Sequence, residues 1–444
     1  MDLGGIFKAY DVRGTYPEQF DEVAAHRIGG AFAQWTAAKR IVVGRDMRLS
    51  SEPLAKAFIE GITGQGADAV DIGLVSTDAL YFASGRHEIP GAMFTASHNP
   101  GHYNGIKLCL AGAAPVGQDT GLADIRRLAE EGVEPAETTG AVGQRDVLDD
   151  FVEHLLTFID SSVLRPLKVV VDAANGMAGK MVPPVFARIP VELVPLYFEL
   201  DGTFPNHPAD PIQLENLTAL RKSVIEEGAD VGMAFDGDAD RVFLVDETAD
   251  PVSGSLTTAL AAAMVMDKEP GATIIHNLIC SRVVPETIAE KGGTAIRSRV
   301  GHSFIKKVMA ETGAAFGGEH SGHYFFRDNF RADSGLICAL FVLEAISREG
   351  RPFSEVLAPY RRYWNSGEIN TEVSDQDAKM KELADAYSDG ELDWLDGLTV
   401  NYRDWWFNVR PSNTEPLLRL NLEASDEAFG KTKTEEIIEV IRRD

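Results

Sequence analysis

The chain has 444 residues, 44% hydrophobic and 25% charged, which excludes a disordered chain and fits two to four domains of about 150 residues each. No apolar run approaches the ~18 residues that span a bilayer, and the opening MDLGGIFKAYDVRG lacks the apolar stretch of a signal peptide. A formal net charge of -26 argues against nucleic acid and membrane as partners, and would repel a phosphorylated small molecule unless cationic groups gather locally. Cys109, Cys280 and Cys338 are odd in number and widely spaced, which argues against a disulfide framework or zinc knuckle and suits a reducing cytoplasm.

Short β-branched runs alternate with helical stretches. Strands are expected at Ile41–Gly44, Ala69–Ile72, Lys168–Asp172, Val231–Phe235, Val242–Val245 and Thr273–Ile275, with helices at Glu52–Ile62 and Phe304–Thr312. That alternation predicts α/β units with mostly parallel sheets. Polar stretches at 131–145, 246–254 and 358–368 are candidate linkers. They divide the chain into expected units of 1–140, 141–246, 247–358 and 359–444. The last differs in character, with Trp394, Trp405 and Trp406, a strand at Leu417–Leu422 and a final helix.

Four segments carry chemistry. Asp236-Gly237-Asp238-Ala239-Asp240-Arg241 places three carboxylates two residues apart between two strands, an oxygen-rich set suited to Mg²⁺. An EF-hand fits less well, because Arg241 stands where the sixth-position glycine would be, although Glu247 falls at the twelfth. Thr95-Ala96-Ser97-His98-Asn99-Pro100 is either a turn or a loop with nucleophilic Ser97, and no G-x-S-x-G surrounds it. Lys107, in an apolar stretch, reads by itself as a snorkelling lysine on an edge strand. Gly317-Gly318-Glu319-His320-Ser321-Gly322-His323 offers polar groups suited to sugar hydroxyls, and His320 and His323 alone make a poor zinc site. Arg410-Pro411-Ser412-Asn413-Thr414-Glu415-Pro416 gathers a guanidinium, two hydroxyls, an amide and backbone N–H groups, an inventory for a tetrahedral phosphate. Gly176–Lys180 is too short for a P-loop, and no dinucleotide fingerprint or H-E-x-x-H occurs.

In this order, together with Phe7–Gly14, the four segments resemble the α-D-phosphohexomutase superfamily, and Gly318–His323 is most similar to its bacterial phosphomannomutase/phosphoglucomutase branch. The resemblance implies an α/β fold of four domains around a central cleft: three related α/β domains and a C-terminal α+β domain. It implies Ser97 as phosphoserine, with Mg²⁺ held by Asp236, Asp238, Asp240 and a Ser97 phosphate oxygen, and Arg241 beside the metal. Glu319 and Ser321 would take sugar hydroxyls. Tyr10, Arg13, His98, Lys107, His302 and His323 would line the cleft, with Lys107, Arg13 and His323 as candidate bases. Arg410, Ser412, Asn413 and Thr414 would hold the non-reacting phosphate. Ala239 departs from the pattern, since many members have glycine there. The implied reaction interconverts hexose 6- and 1-phosphates of mannose and/or glucose, with a glucose or mannose 1,6-bisphosphate as intermediate and activator, in a cytoplasmic monomer or homodimer. The alternatives are a phosphoglucosamine mutase, a phosphatase using the same metal and phosphoserine site, and a non-catalytic sugar-phosphate sensor.

Overall fold

A computed structural model describes residues 1–411 and 417–443, with only the backbone of His302. Four sheets of seven, five, four and five strands follow one another along the described chain. The first runs Val12–Thr15, Tyr103–Leu110, Gly91–Phe94, Arg40–Arg45, Asp68–Leu74, Val142–Gln144, with Ala114–Pro115 added beside Tyr103–Leu110. The second runs Pro251–Val252, Val242–Asp246, Val231–Phe235, Leu167–Asp172, Val191–Leu196, and the third Thr294–Ser298, Thr273–Asn277, Phe316–Gly318, Tyr324–Phe326.

Each of these three sheets has a parallel core closed by an antiparallel hairpin. Gly91–Phe94 pairs antiparallel with Tyr103–Leu110, Val231–Phe235 with Val242–Asp246, and Phe316–Gly318 with Tyr324–Phe326. The expectation of mostly parallel sheets therefore holds for the cores and fails at the hairpins. The fourth sheet is wholly antiparallel, in the order Trp364–Glu372, Leu417–Ala424, Trp405–Pro411, Leu398–Asn401, Glu391–Asp393. Three of the four chemistry-bearing segments lie at the turns of hairpins, so one local device presents each of them, while the fourth begins at the end of the strand Trp405–Pro411 and its remainder lies outside the described residues.

Two stretches expected as linkers contain short strands. Val142–Gln144 joins the first sheet beside Asp68–Leu74, and Pro251–Val252 pairs with Val242–Asp246. Both are too short to show period-two alternation. One apolar core runs through the first three sheets, from Val42 and Met93 through Val171 and Met233 to Tyr324 and Leu340. The C-terminal sheet has its own core around Leu383, Val400, Phe407 and Leu420.

Helix caps join the first and third sheets. Ser334 Oγ accepts from Ile337 N at the start of the helix Gly335–Glu349 and donates to Asp78 Oδ2 at 2.6 Å, near the start of the helix Thr77–His87.

Candidate active site

The Ser97 loop is held from behind by Arg48, which is buried. Its Nη1 donates to the carbonyls of Pro100 (2.7 Å) and Tyr103 (3.0 Å), and its Nη2 to those of Ser97 (2.8 Å) and Asn99 (2.6 Å). Asp46 accepts from Arg48 Nε at 3.1 Å and from the Ser51 hydroxyl at 2.6 Å. With four loop carbonyls turned toward one guanidinium, Ser97 adopts a left-handed φ of 50°, a conformation costing roughly 1–2 kcal/mol outside glycine. Its side chain then faces the acidic hairpin, and Oγ donates to Asp236 Oδ2 at 2.7 Å.

The acidic turn fits closely against this loop. A Cβ on Gly237 would meet the Ser97 carbonyl at 2.4 Å, so only glycine lets the two turns touch. Ala239 has φ 61°, which explains why glycine suits that position and shows that alanine is tolerated there under strain. Gly176, in the stretch too short for a P-loop, approaches the carbonyl of Gly237, and Met177 N donates to that oxygen at 2.9 Å.

One oxygen each from Asp236, Asp238 and Asp240 lies within 4.8 Å of the other two, and all three residues are buried. Lys107 Nζ reaches Asp238 at 2.7 Å and Asp240 at 2.6 Å, and Thr77 Oγ1 also donates to Asp238. Lys107 is therefore no snorkelling residue at a sheet edge: its strand is paired on both sides and its ammonium points into the site. Asp238 Oδ1 and Asp240 Oδ1 are buried without a hydrogen-bond partner among the described residues. Such orphaned oxygens are costly unless something cationic meets them, so the donor set fits a hard divalent ion.

Electrostatics sort these groups. Burial pushes the Asp236 carboxyl up against the pull of Arg241, with Asp238 and Asp240 adding to the rise. Burial acts the same way on Asp238, but Lys107 and Thr77 overcome it and hold that carboxyl below its ordinary value. Burial opposes charge on Lys107, yet Asp238 and Asp240 keep it firmly protonated. Arg241 Nε donates to Asp236 Oδ2 at 2.9 Å, and its Nη2 to Ser97 Oγ at 3.1 Å and to His98 Nδ1 at 2.6 Å. Burial and Arg241 push His98 down to about 2, so it is neutral and carries its proton on Nε2.

His323, beside Arg241 in a bridge between hairpins, has Nδ1 at 2.8 Å from Asp333 Oδ2 and 3.9 Å from Asp240 Oδ1. Burial lowers its pKa, but Asp333 and Asp240 more than offset this and leave it raised. Lys306, buried over the Tyr81 ring at 4.0 Å, stands 2.9 Å from Asp333 Oδ1. Glu319 Oε1 accepts from Gly301 N at 3.0 Å and Asn277 Nδ2 at 3.3 Å, and the same amide nitrogen lies 3.0 Å from His320 Nδ1. Ser321 is half-buried nearby. Arg13 Nη1 donates to Asn99 Oδ1 at 2.6 Å, and the Tyr10 ring packs edge-on against Phe304.

A cleft of about 900 Å³ has His98 and Arg241 on one wall and Glu368, Arg419 and Asn421 on another. Arg410 and Arg419 are direct cross-strand partners, and Glu368 bridges both. Ser412, Asn413 and Thr414 lie outside the described residues, as does the side chain of His302.

Models of the phosphoglucomutase/phosphomannomutase family match all four segments: α/β/α domain I at residues 4–135, domain II at 149–250, domain III at 253–363 and the C-terminal domain at 368–440. This chain belongs to the α-D-phosphohexomutase superfamily. The phosphohexomutase fold of three α/β domains and a C-terminal domain agrees with the sequence reading, as does the class of enzyme, an isomerase. A phosphomannomutase of Salmonella montevideo is 40% identical over 448 residues, with 98% of each chain covered. A Xanthomonas campestris protein described among the phosphohexose mutases is 40% identical over 442 residues, covering 98% of this chain and 99% of its own. The crystal structure of a family member from Burkholderia thailandensis superposes with a TM-score of 0.90 at 34% identity, covering 98% and 97%. Among the described residues, no helix is long and apolar enough to cross a membrane.

Sequence reasoning missed several residues of this phosphohexomutase site. Arg48 lies in a polar run after a parallel strand, a place where α/β proteins put function, and that signal was available. Arg419 is a lone cation on the strand Leu417–Ala424, which alternates apolar and polar residues over Leu418–Leu422, and was also legible. Thr77, Lys306 and Asn277 carry no local signal, because their partners Asp238, Asp333 and Glu319 are distant in the chain and meet them only in the folded molecule.

Proposed function

We propose that this phosphohexomutase interconverts hexose 6-phosphate and hexose 1-phosphate through a phosphorylated Ser97 and a hexose 1,6-bisphosphate. The observation that carries this reading is the Ser97 hydroxyl, 2.7 Å from Asp236 and inside a buried three-carboxylate cluster with two orphaned oxygens. A hydroxyl farther from the acidic turn would have ruled out a shared cation.

Asp236, Asp238 and Asp240 would hold Mg²⁺, which supplies neutralising charge to a phosphoryl group on Ser97. Arg241 holds Ser97 Oγ in place and keeps His98 neutral, so His98 serves to position rather than to donate a proton. In the first half-reaction a substrate hydroxyl oxygen bonds to phosphorus as the P–Oγ bond of Ser97 breaks. The hydroxyl proton must leave. Lys107 is locked in its charged form and Arg13 is a guanidinium, so neither is a good acceptor. His323 takes the role: Asp333 holds its Nδ1, leaving Nε2 for the proton. The freed Ser97 Oγ, which accepts from Arg241 Nη2, takes up one proton and ends as a hydroxyl, so protons balance over the half-reaction, and Ser97 then recovers the other phosphate by the reverse steps.

Glu319 and Ser321 would read sugar hydroxyls, with Tyr10 and His302 at the rim. Arg410, Ser412, Asn413 and Thr414, joined by Arg419, would hold the phosphate that does not react. Four units of 1–140, 141–246, 247–358 and 359–444, a cytoplasmic setting and activation by the 1,6-bisphosphate complete the reading. The name of the Salmonella relative favours mannose among the sugars. The test is intact mass before and after incubation with glucose 1,6-bisphosphate. A single phosphate is expected on Ser97, and Ser97→Ala should lose turnover by at least ~10³-fold while still binding hexose phosphate. Phosphate mapped elsewhere, or turnover retained by the variant, defeats the assignment.

A further inference from the structure

The structure assigns to Glu368 a further part: an internal counter-ion that competes with the substrate's phosphate for Arg410 and Arg419, and so sets how easily that phosphate is released. The inference rests on the reading that these arginines hold the non-reacting phosphate.

The two guanidinium groups occupy directly opposed positions on adjacent strands, an arrangement that is repulsive without an anion between them. Glu368 supplies one. Its Oε2 accepts from Arg410 Nη2 at 2.7 Å and its Oε1 from Arg419 Nη1 at 3.4 Å. The carboxylate is aimed there by an irregularity in strand pairing between Asn365 and Glu368, with Gly367 at a left-handed φ of 67°. Even so, the arginines keep capacity. Arg410 Nε and Arg419 Nε are buried without a hydrogen-bond partner among the described residues. Two guanidinium groups and one carboxylate leave a net positive charge, and Glu368 and Arg419 both line the cleft that faces Arg241.

A phosphate dianion arriving here meets a carboxylate already using the donors it needs. It must displace or share with Glu368, and either course weakens its hold through like-charge repulsion. Midway through the proposed reaction that weakness is useful. The bisphosphate has to free one phosphate from these arginines and present the other. A bare pair of arginines would bind the intermediate most strongly in the arrangement it has to leave, which slows turnover. Glu368 is the acceptor that takes over the guanidinium donors as the phosphate departs.

The experiment titrates inorganic phosphate calorimetrically into the full-length enzyme, alongside Glu368→Gln, Glu391→Gln and Arg419→Ala, and measures steady-state kinetics for each. Glu391 lies on the far edge strand of the same sheet and controls for loss of one negative charge from an acidic protein. Glu368→Gln is expected to bind phosphate about tenfold tighter, a change equal to about 1.4 kcal/mol, and to lower KM and kcat together. Glu391→Gln should match the parent, and Arg419→Ala should bind more weakly. If Glu368→Gln binds phosphate no tighter while Arg419→Ala still weakens it, the counter-ion role is wrong and Glu368 only orients the arginines. If Arg419→Ala leaves phosphate affinity unchanged, the phosphate site itself is misplaced and the inference falls with it.

Discussion

Around Ser97, the side chains of Asp236, Asp238, Asp240, Arg241 and Lys107 are 0–12% exposed and tied to one another across two sheets. On the C-terminal sheet, Glu368 and Arg419 are 25% and 33% exposed and face an open cleft. The surroundings differ in the same sense. The first three sheets share a continuous apolar core, whereas the C-terminal sheet keeps its own and meets the third domain through a small apolar cluster of Trp406 with Leu278 and Ile279 together with polar contacts. There Arg282 donates to the carbonyls of Tyr402 (2.6 Å), Arg403 (3.0 Å) and Trp405 (3.1 Å), and buried Glu423 accepts from Arg282 N and Trp406 Nε1. Bond-making needs charges fixed in advance in a dry setting, where they act without reorganisation. Recognition of a phosphate that must come and go is better served by charges still in touch with water.

The sharpest way to break that comparison is to remove Lys107. Lys107→Met leaves Asp238 and Asp240 buried without their cation and should cost about 3–5 kcal/mol of stability. Added Mg²⁺ should recover part of the loss, so the thermal midpoint should rise more with Mg²⁺ in the variant than in the parent. Equal Mg²⁺ responses would mean that the carboxylates are not the ion's ligands, and an unchanged midpoint would mean that the centre is less dry than its geometry states.

Arg419→Ala should give the opposite pattern. Its loss removes a donor at a partly exposed site, so KM for hexose phosphate should rise by roughly tenfold, with kcat and thermal midpoint nearly unchanged. A collapse in stability would place Arg419 with the buried centre instead.

The same contrast governs what was legible in the sequence. The acidic turn could be read because its carboxylates are adjacent in the chain, with strands on both sides that periodicity reveals. Ser97 could be recognised only through the whole set of segments, since Thr-Ala-Ser-His-Asn-Pro is locally no more than a turn. Lys107 was misread from its local pattern because its partners lie 131 and 133 residues away. The common hairpin plan of three domains also escaped the sequence, because strands such as Phe316–Gly318 and Tyr324–Phe326 have only three residues each. Arg48 shows the limit from the other side. Its signal was present, but its task, gathering four carbonyls of another loop, exists only in the folded chain.

The smallest effect expected concerns the seam between first and third domains. Burial pushes the Asp78 carboxyl up to about 7, against the hydroxyls of Ser334 and Ser76 that donate to it. A carboxyl raised in the folded state carries no penalty below its ordinary value of 3.8. The penalty grows as pH rises toward 7 and is complete above it, so this group makes the fold less stable at pH 8 than at pH 5. Asp78→Asn removes the ionisation while keeping an oxygen to accept from one serine. The variant should therefore gain on the parent as pH rises, by about 1–2 °C in thermal midpoint between pH 5 and 8. A difference between variant and parent that stays constant over that range would show that Asp78 is not the group that titrates. A difference moving the other way would mean that its ionised form is stabilised at the seam, which would make this seam an extension of the charged transfer centre instead of a neutral joint beside it.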